Sequence, residues 1–242
     1  EINVPYRAIA HPLYVDEEVA KLLKESGCFK LEMGVQTFNE EVKRKMMTRI
    51  EKNEDIVRAL KACSKYKLNF FVDHMFGFGE TDAELRHALL LYNEYRPTRI
   101  TCYWLQYFPA TSVIDKTGAT EEQRKEAEEG KENTYITGGS VKDENVKKIA
   151  KQFQFIMKGL QLYPKWLVKF FLASNIYKVF HLIPPLPFEL MVAIKKSDYR
   201  IFNYIGYYTF HFRKRIKTRL GLGKKSDKRR MSVPAQISGM LK

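Results

Sequence analysis

The chain has 242 residues, 45% of them hydrophobic and 29% charged, which is enough apolar material for one substantial core and excludes wholesale disorder. Its formal charge of +14 is unevenly spread: residues 1–150 carry 23 Lys and Arg against 25 Asp and Glu, whereas residues 151–242 carry 19 against 3, so any electrostatic partner belongs to the C-terminal part. Cys28, Cys63 and Cys102 lie 35 and 39 positions apart, which excludes a local metal clamp and a dense disulfide framework and reads as reduced thiols of a cytoplasmic protein.

The chain opens at Glu1 in an extended stretch, with no basic and apolar leader before Val4 to His11; we read this as upstream sequence that is missing. Short apolar runs then alternate with charged stretches of helical length, the pattern of strand–helix units around a parallel sheet. Strands are expected near Arg7–His11, Phe29–Gly34, Asn69–Phe76 and Arg99–Tyr107, with helices between them. Asp16, followed by Glu17 and Glu18, opens the first helix and Gly27 closes it after Ser26. Asn39 with Glu40 and Glu41 repeats the opening signal, and Thr81 with Glu84 makes a capping box. About three such repeats are present, too few to close a barrel that needs eight.

Residues 119–140 change character, with an acidic helical run from Glu121 to Glu132, read as a solvated face, and a loop at Gly138-Gly139-Ser140. A helix is expected from about Lys142 to Leu162, its apolar stripe formed by Val146, Ile149, Phe153, Ile156 and Leu160. The aromatic stretch Tyr163–Leu182 is interrupted by Lys165, Lys169, Asn175 and Lys178 and stopped by Pro184, Pro185 and Pro187, so it does not span a membrane. Residues 199–219 interleave aromatics with cations. For them we rank docking on the strand–helix layer first, a peripheral membrane surface second and nucleic acid third.

Three segments carry the chemistry. GVQTFNEEVKRKMMTR, Gly34 to Arg49, ends a strand and runs into a helix, where parallel α/β layers present ligand-binding side chains. Gln36 can donate to and accept from a ribose diol, or else merely cap the helix that follows. FFVDHMFGFGET, Phe70 to Thr81, is strand, glycine turn and helix; Gly77 and Gly79 would bring backbone amides close to a ligand. YWLQYFPAT, Tyr103 to Thr111, ends the last strand. Asp73 and His74 are neighbours on a strand and point to opposite faces, so they form no dyad; His11, near the end of the first strand, could line the mouth at the strand ends, but a structural role ranks first for both histidines.

In this order and spacing, GVQTFNEEV, DHMFGFGET and YFPAT resemble the second half of the radical S-adenosylmethionine barrel, over roughly residues 5–115. The resemblance implies an α/β fold with a partial parallel (β/α) barrel over 1–118; the composition divides the rest into an acidic peripheral insertion over 119–141, a mainly helical C-terminal extension over 142–223 and a disordered basic tail over 224–242. It implies that Gln36 approaches the ribose and that Arg49, closing the helix, meets the methionine carboxylate. It aligns Asp73, Met75, Gly77 and Glu80 with the family's GxIxGxxE strand motif, the backbone at Met75 facing adenine, and adds Glu32 as a further contact. Asp73 stands for the motif's first glycine, Met75 for its isoleucine, and the turn lacks a proline.

The family's C-x3-C-x2-C motif is absent; the ligands of its 4Fe–4S cluster are expected upstream, in a missing N-terminal half of the same polypeptide. The resemblance implies reductive cleavage of S-adenosylmethionine to a 5′-deoxyadenosyl radical that acts on a small-molecule substrate, which the aromatic tail suggests is hydrophobic. The chain alone is expected to be inactive. A long basic helical extension is similar to the subgroup that also binds cobalamin. The rival reading is a non-enzymatic membrane or nucleic-acid binding module that works through its tail.

Overall fold

A computed structural model describes residues 4–129 and 139–196, together with Gly206, Thr209 and Arg213. The chain divides into two units, Glu1–Ser197 and Asp198–Lys242. The elements below belong to the first; the readings of residues 199–219 and 224–242, and of the acidic insertion between 130 and 138, lie outside the described residues.

Four strands, β1 (Tyr6–Ala10), β2 (Cys28–Gln36), β3 (Phe70–Phe76) and β4 (Arg99–Trp104), form one parallel sheet in the order β1-β2-β3-β4. Helices connect them: α1 (Glu17–Glu25) after β1, α2 (Glu40–Lys45) and α3 (Asn53–Lys65) after β2, and α4 (Asp82–Tyr95) after β3. The expected start signals act as caps: Asp16 Oδ1 accepts from Val19 N at 2.8 Å, Asn39 Oδ1 from Val42 N at 3.0 Å, and Thr81 and Glu84 close a reciprocal box. Gly27 ends α1 at φ 85°, a conformation that side chains with a Cβ resist.

Strand alternation divides the sheet. Leu31, Met33, Val35, Phe70, Val72 and Trp104 face the helices and belong to the main core. The opposite face carries half-buried Glu32, Gly34, Asp73, Met75, Thr101 and Tyr103, a polar set on a sheet whose other side is almost wholly apolar. β4 stops at Trp104, short of the expected Tyr107. Leu105 N still donates to Phe76 O at 2.7 Å, but Leu105 O accepts from Ser140 N at 2.8 Å, so the chain turns there into a second small core with Tyr107 and Ile114. Ala119, Ala127 and Ser140 are buried beside it, so the insertion is packed at both of its described ends.

Helix α7 (Glu144–Gly159) follows the insertion. A stripe was expected along it, yet from Gln152 to Gly159 every residue is buried, because the helix lies between β4 and α4 on one side and the 3-10 segment Ile176–Leu182 and α9 (Leu186–Lys195) on the other. The shorter helices α5 (Ser112–Lys116), α6 (Glu121–Glu128) and α8 (Lys165–Ala173) complete the described set. Glu121 on α6 is 97% exposed, as a solvated acidic face requires. No helix among the described residues is long and apolar enough to cross a membrane.

Candidate functional site

The C-terminal ends of β2 and β3 lie side by side. Gly34 is in register with Asp73, and Gln36 with His74, the residue before Met75; the register slips between Gly34 and Gln36. At the slip the backbone of Gln36 takes φ 64°, the left-handed region, and Thr37 N donates to Val35 O at 2.8 Å across it. A non-glycine residue held so costs about 1–3 kcal/mol and is kept where its surroundings impose it. The bend turns the Gln36 side chain back over Gly34. A Cβ built on Gly34 would stand 2.8 Å from Gln36 Nε2 and 3.6 Å from Arg49 Nη1, so this glycine is what lets two donor groups gather at one spot. Gln36 does not cap α2, since Asn39 does. Its Oε1 is buried with no hydrogen-bond partner among the described residues.

Arg49 was expected to close the helix after β2. Instead α2 ends at Lys45, and Arg49 lies beyond it in a loop that turns back on the helix, where its N donates to Lys43 O at 2.9 Å. From there its Nη2 donates to Gly34 O at 2.6 Å and its Nε to Glu51 Oε1 at 2.5 Å. Glu51 is fully buried, and its second oxygen stands 3.2 Å from His11 Nε2, just past the end of β1. His11 Nδ1 accepts from Leu13 N at 3.2 Å, which puts the hydrogen of the neutral ring on Nε2. Burial and the neighbouring Arg49 hold the His11 imidazole below its ordinary pKa, against the pull of Glu51. Lys43 is buried beside this group and donates to Asn53 Oδ1 at 3.0 Å; desolvation lowers its pKa while Glu51 and Glu40 raise it. The rim position of His11 was one of the two readings that the sequence offered; Glu51 and Lys43 were not found from the sequence, and no spacing rule would have found them.

Other expected contacts are placed differently. Glu80 accepts from Gly77 N at 3.0 Å and Phe78 N at 3.2 Å, so its carboxylate is folded onto its own turn, and burial raises its pKa against those two bonds. The amides expected to approach a ligand at Gly77 are therefore engaged inside the protein. Gly77, at φ 112°, is needed because a Cβ would meet Val141 Cγ2 at 2.5 Å. Glu32 pairs with Lys30 Nζ at 2.9 Å, and that ammonium also lies 3.9 Å from the centre of the Phe71 ring. Asp73 and Met75 stand on the polar face next to Gly34 and Gln36. The structure thus gathers Gln36 and Arg49 over Gly34, sets Asp73 and Met75 alongside, and leaves Glu80 and Glu32 with partners of their own.

His74 is buried on the helical face, its Nδ1 3.0 Å from Tyr92 OH, and desolvation pushes its pKa down to about 3, so it is a neutral core residue. The three cysteines are free and buried, and burial pushes the Cys63 and Cys102 thiols up to about 12, far from a thiolate ligand. Among the described residues no group of His, Cys, Asp and Glu could hold a metal ion. A cavity of about 370 Å³ lined by Pro109, Thr111, Asp115 and Arg124 includes none of the rim residues.

A parallel α/β sheet with polar side chains converging at its C-terminal edge is the architecture of a protein that takes a small ligand at that edge. Residues 3–92 match the model of the Radical SAM superfamily. A biotin synthase from Persephonella marina is 29% identical over 111 residues, which are 46% of this chain and 32% of that protein. The chain thus spans about a third of the length of this curated relative. Among solved structures, the radical S-adenosylmethionine methyltransferase TsrM from Kitasatospora setae, determined with cobalamin and a 4Fe–4S cluster bound, is similar at 24% identity and a TM-score of 0.39, over 44% of this chain and 22% of that one. The Escherichia coli coproporphyrinogen III oxidase HemN is similar at 18% identity and a TM-score of 0.39, over 63% of this chain and 38% of that one.

Proposed function

We propose that this chain forms part of an enzyme that reductively cleaves S-adenosylmethionine, and that the rim over β2 and β3 grips that molecule. The observation that carries the reading is the convergence of Gln36 and Arg49 over Gly34, with the Gln36 amide oxygen buried and without a partner among the described residues. An orphaned buried acceptor loses free energy unless a donor reaches it, and a ribose hydroxyl is such a donor. The guanidinium beside it suits a carboxylate. S-adenosylmethionine carries both groups, so the residues fit it. On this reading Gln36 orients the ribose, Arg49 holds the methionine carboxylate, and the backbone at Met75 borders the adenine.

When bound beside a 4Fe–4S cluster, S-adenosylmethionine supplies a 5′-deoxyadenosyl radical. Cys28, Cys63 and Cys102 are buried and far apart in the chain, and burial pushes the Cys63 and Cys102 thiols up to about 12, so we propose that the cluster's ligands come from sequence N-terminal to Glu1 and that the chain alone does not turn over. The sheet would then be the later half of a parallel (β/α) barrel whose earlier strands pair with β1. Cobalamin remains a proposal from the sequence resemblance alone.

The test is to express the gene product with whatever precedes Glu1, reconstitute it with iron and sulfide under a reductant, and follow 5′-deoxyadenosine by chromatography. Product that falls by an order of magnitude or more in Arg49→Ala and Gln36→Ala supports the reading. A preceding sequence without three closely spaced cysteines, or variants that turn over as the parent does, would sink it.

A further inference from the structure

We infer that Glu51 is the positioning residue that aims Arg49 at the carboxylate of an amino-acid-bearing nucleoside, an inference that rests on the function proposed above. An arginine side chain is long and mobile, and one hydrogen bond would leave its planar head free to swing. Here two adjacent donors are fixed at once: Nε by Glu51 Oε1 at 2.5 Å and Nη2 by Gly34 O at 2.6 Å. Those bonds occupy the side edge of the guanidinium. They leave its far end, Nη1 with the second hydrogen of Nη2, without a hydrogen-bond partner among the described residues, and Nη1 lies 3.6 Å from where a Gly34 side chain would begin. That far end is the edge which accepts a carboxylate in a two-pronged grip.

Glu51 also acts electrostatically on His11 and the buried Lys43, but among the described residues its one well-formed hydrogen bond is to Arg49. Its side chain is fully buried, and its remaining oxygen lies 3.2 Å from His11 Nε2 without a well-formed hydrogen bond. Burying a carboxylate is costly, and it is tolerated where a guanidinium neutralises it. The pair is anchored from three directions: by β2 through Gly34, by the end of β1 through His11, and by the loop that carries both Arg49 and Glu51. The clamp is thus part of the rigid rim, and the ligand would find the arginine already oriented.

The experiment is isothermal titration of the gene product, with whatever precedes Glu1, against two ligands, S-adenosylmethionine and 5′-methylthioadenosine. The second keeps the nucleoside and thioether and lacks the amino-acid carboxylate. Glu51→Gln and Glu51→Ala are expected to weaken S-adenosylmethionine about tenfold and to leave 5′-methylthioadenosine within about twofold. Arg49→Ala should show the same selective loss, and adding a Glu51 substitution to it should lose nothing more. In the parent, the Arg49 Nε–H proton should exchange slowly with solvent by NMR; in Glu51→Gln that protection should drop, a readout that needs no ligand. If Arg49→Ala loses S-adenosylmethionine selectively while the Glu51 variants lose neither ligand or both alike, or keep the Nε–H protection, the positioning role is wrong and the functional reading stands. If Arg49→Ala leaves S-adenosylmethionine binding unchanged, or the parent binds neither ligand, the functional reading falls and this inference with it.

Discussion

The guanidinium of Arg49 reaches back to the carbonyl of Gly34, fifteen positions earlier in the chain, and donates to it at 2.6 Å. The contact is possible because α2 ends at Lys45 and the following loop returns over the strand end, with Thr48 at φ 55°. It makes Gly34 the floor of the site, flanked by Gln36 and Arg49. Gly34→Ala would put a methyl group 2.8 Å from Gln36 Nε2, the flexible end of a side chain that can move aside. We expect the fold to survive within about 1 kcal/mol by urea denaturation, and S-adenosylmethionine affinity to fall about fivefold or more. A variant that binds as the parent does would remove Gly34 from the site.

Gln36 combines a left-handed backbone with a buried, unpartnered Oε1, two unfavourable features in one residue. Gln36→Gly relieves both. Its stability should equal the parent's or exceed it by about 1 kcal/mol, while nucleoside binding is lost. Chemical denaturation and titration calorimetry on the same preparation would check the trade. A clear destabilisation would mean that Gln36 serves the fold.

His74 gives the fold a pH dependence whose sign is set by burial. Its pKa falls from 6.5 to about 3 on folding, so between those values the unfolded chain holds a proton that the folded chain lacks. Stability should therefore drop as pH falls below 6.5, by about 1.4 kcal/mol per unit from this residue. His74→Phe removes that dependence and strands the Tyr92 hydroxyl, which His74 now meets at 3.0 Å. At pH 7 the variant should be the less stable by about 1–3 kcal/mol, and its deficit should shrink by about 2 kcal/mol at pH 5. Equal slopes for both proteins would contradict the assignment.

Arg86 ties α4 to the helices that follow α7. It donates to Asp82 Oδ2 at 2.7 Å, Leu172 O at 2.9 Å, Asn175 Oδ1 at 2.7 Å and Tyr177 OH at 2.8 Å, while Tyr177 OH donates to Asp82 Oδ1 at 2.5 Å. Arg86→Ala should cost about 2 kcal/mol. Because the pair shares one network, Tyr177→Phe combined with it should cost less than the two separate losses together. Guanidinium melts of the double-mutant cycle measure this, and strict additivity would dissolve the network.

The sequence by itself determined the order of strands and helices, because alternation along β2 and β3 and the caps at Asp16, Asn39 and Thr81 are local signals that neighbouring residues impose on the backbone. It also pointed to Gln36, since a strand ending in Gly-Val-Gln leads to the edge where parallel α/β sheets place ligand-binding side chains, and the family resemblance added Arg49. Only the tertiary structure decided what these residues do there. That Glu80 turns inward to its own loop, that α7 is buried all round beyond Gln152, and that Glu51 and His11 stand behind Arg49 all follow from contacts between segments far apart in sequence. A periodic pattern records which side of a residue is apolar. It carries no record of which distant charge will meet that residue once the chain has folded, and at this rim the distant charges set the aim of the arginine.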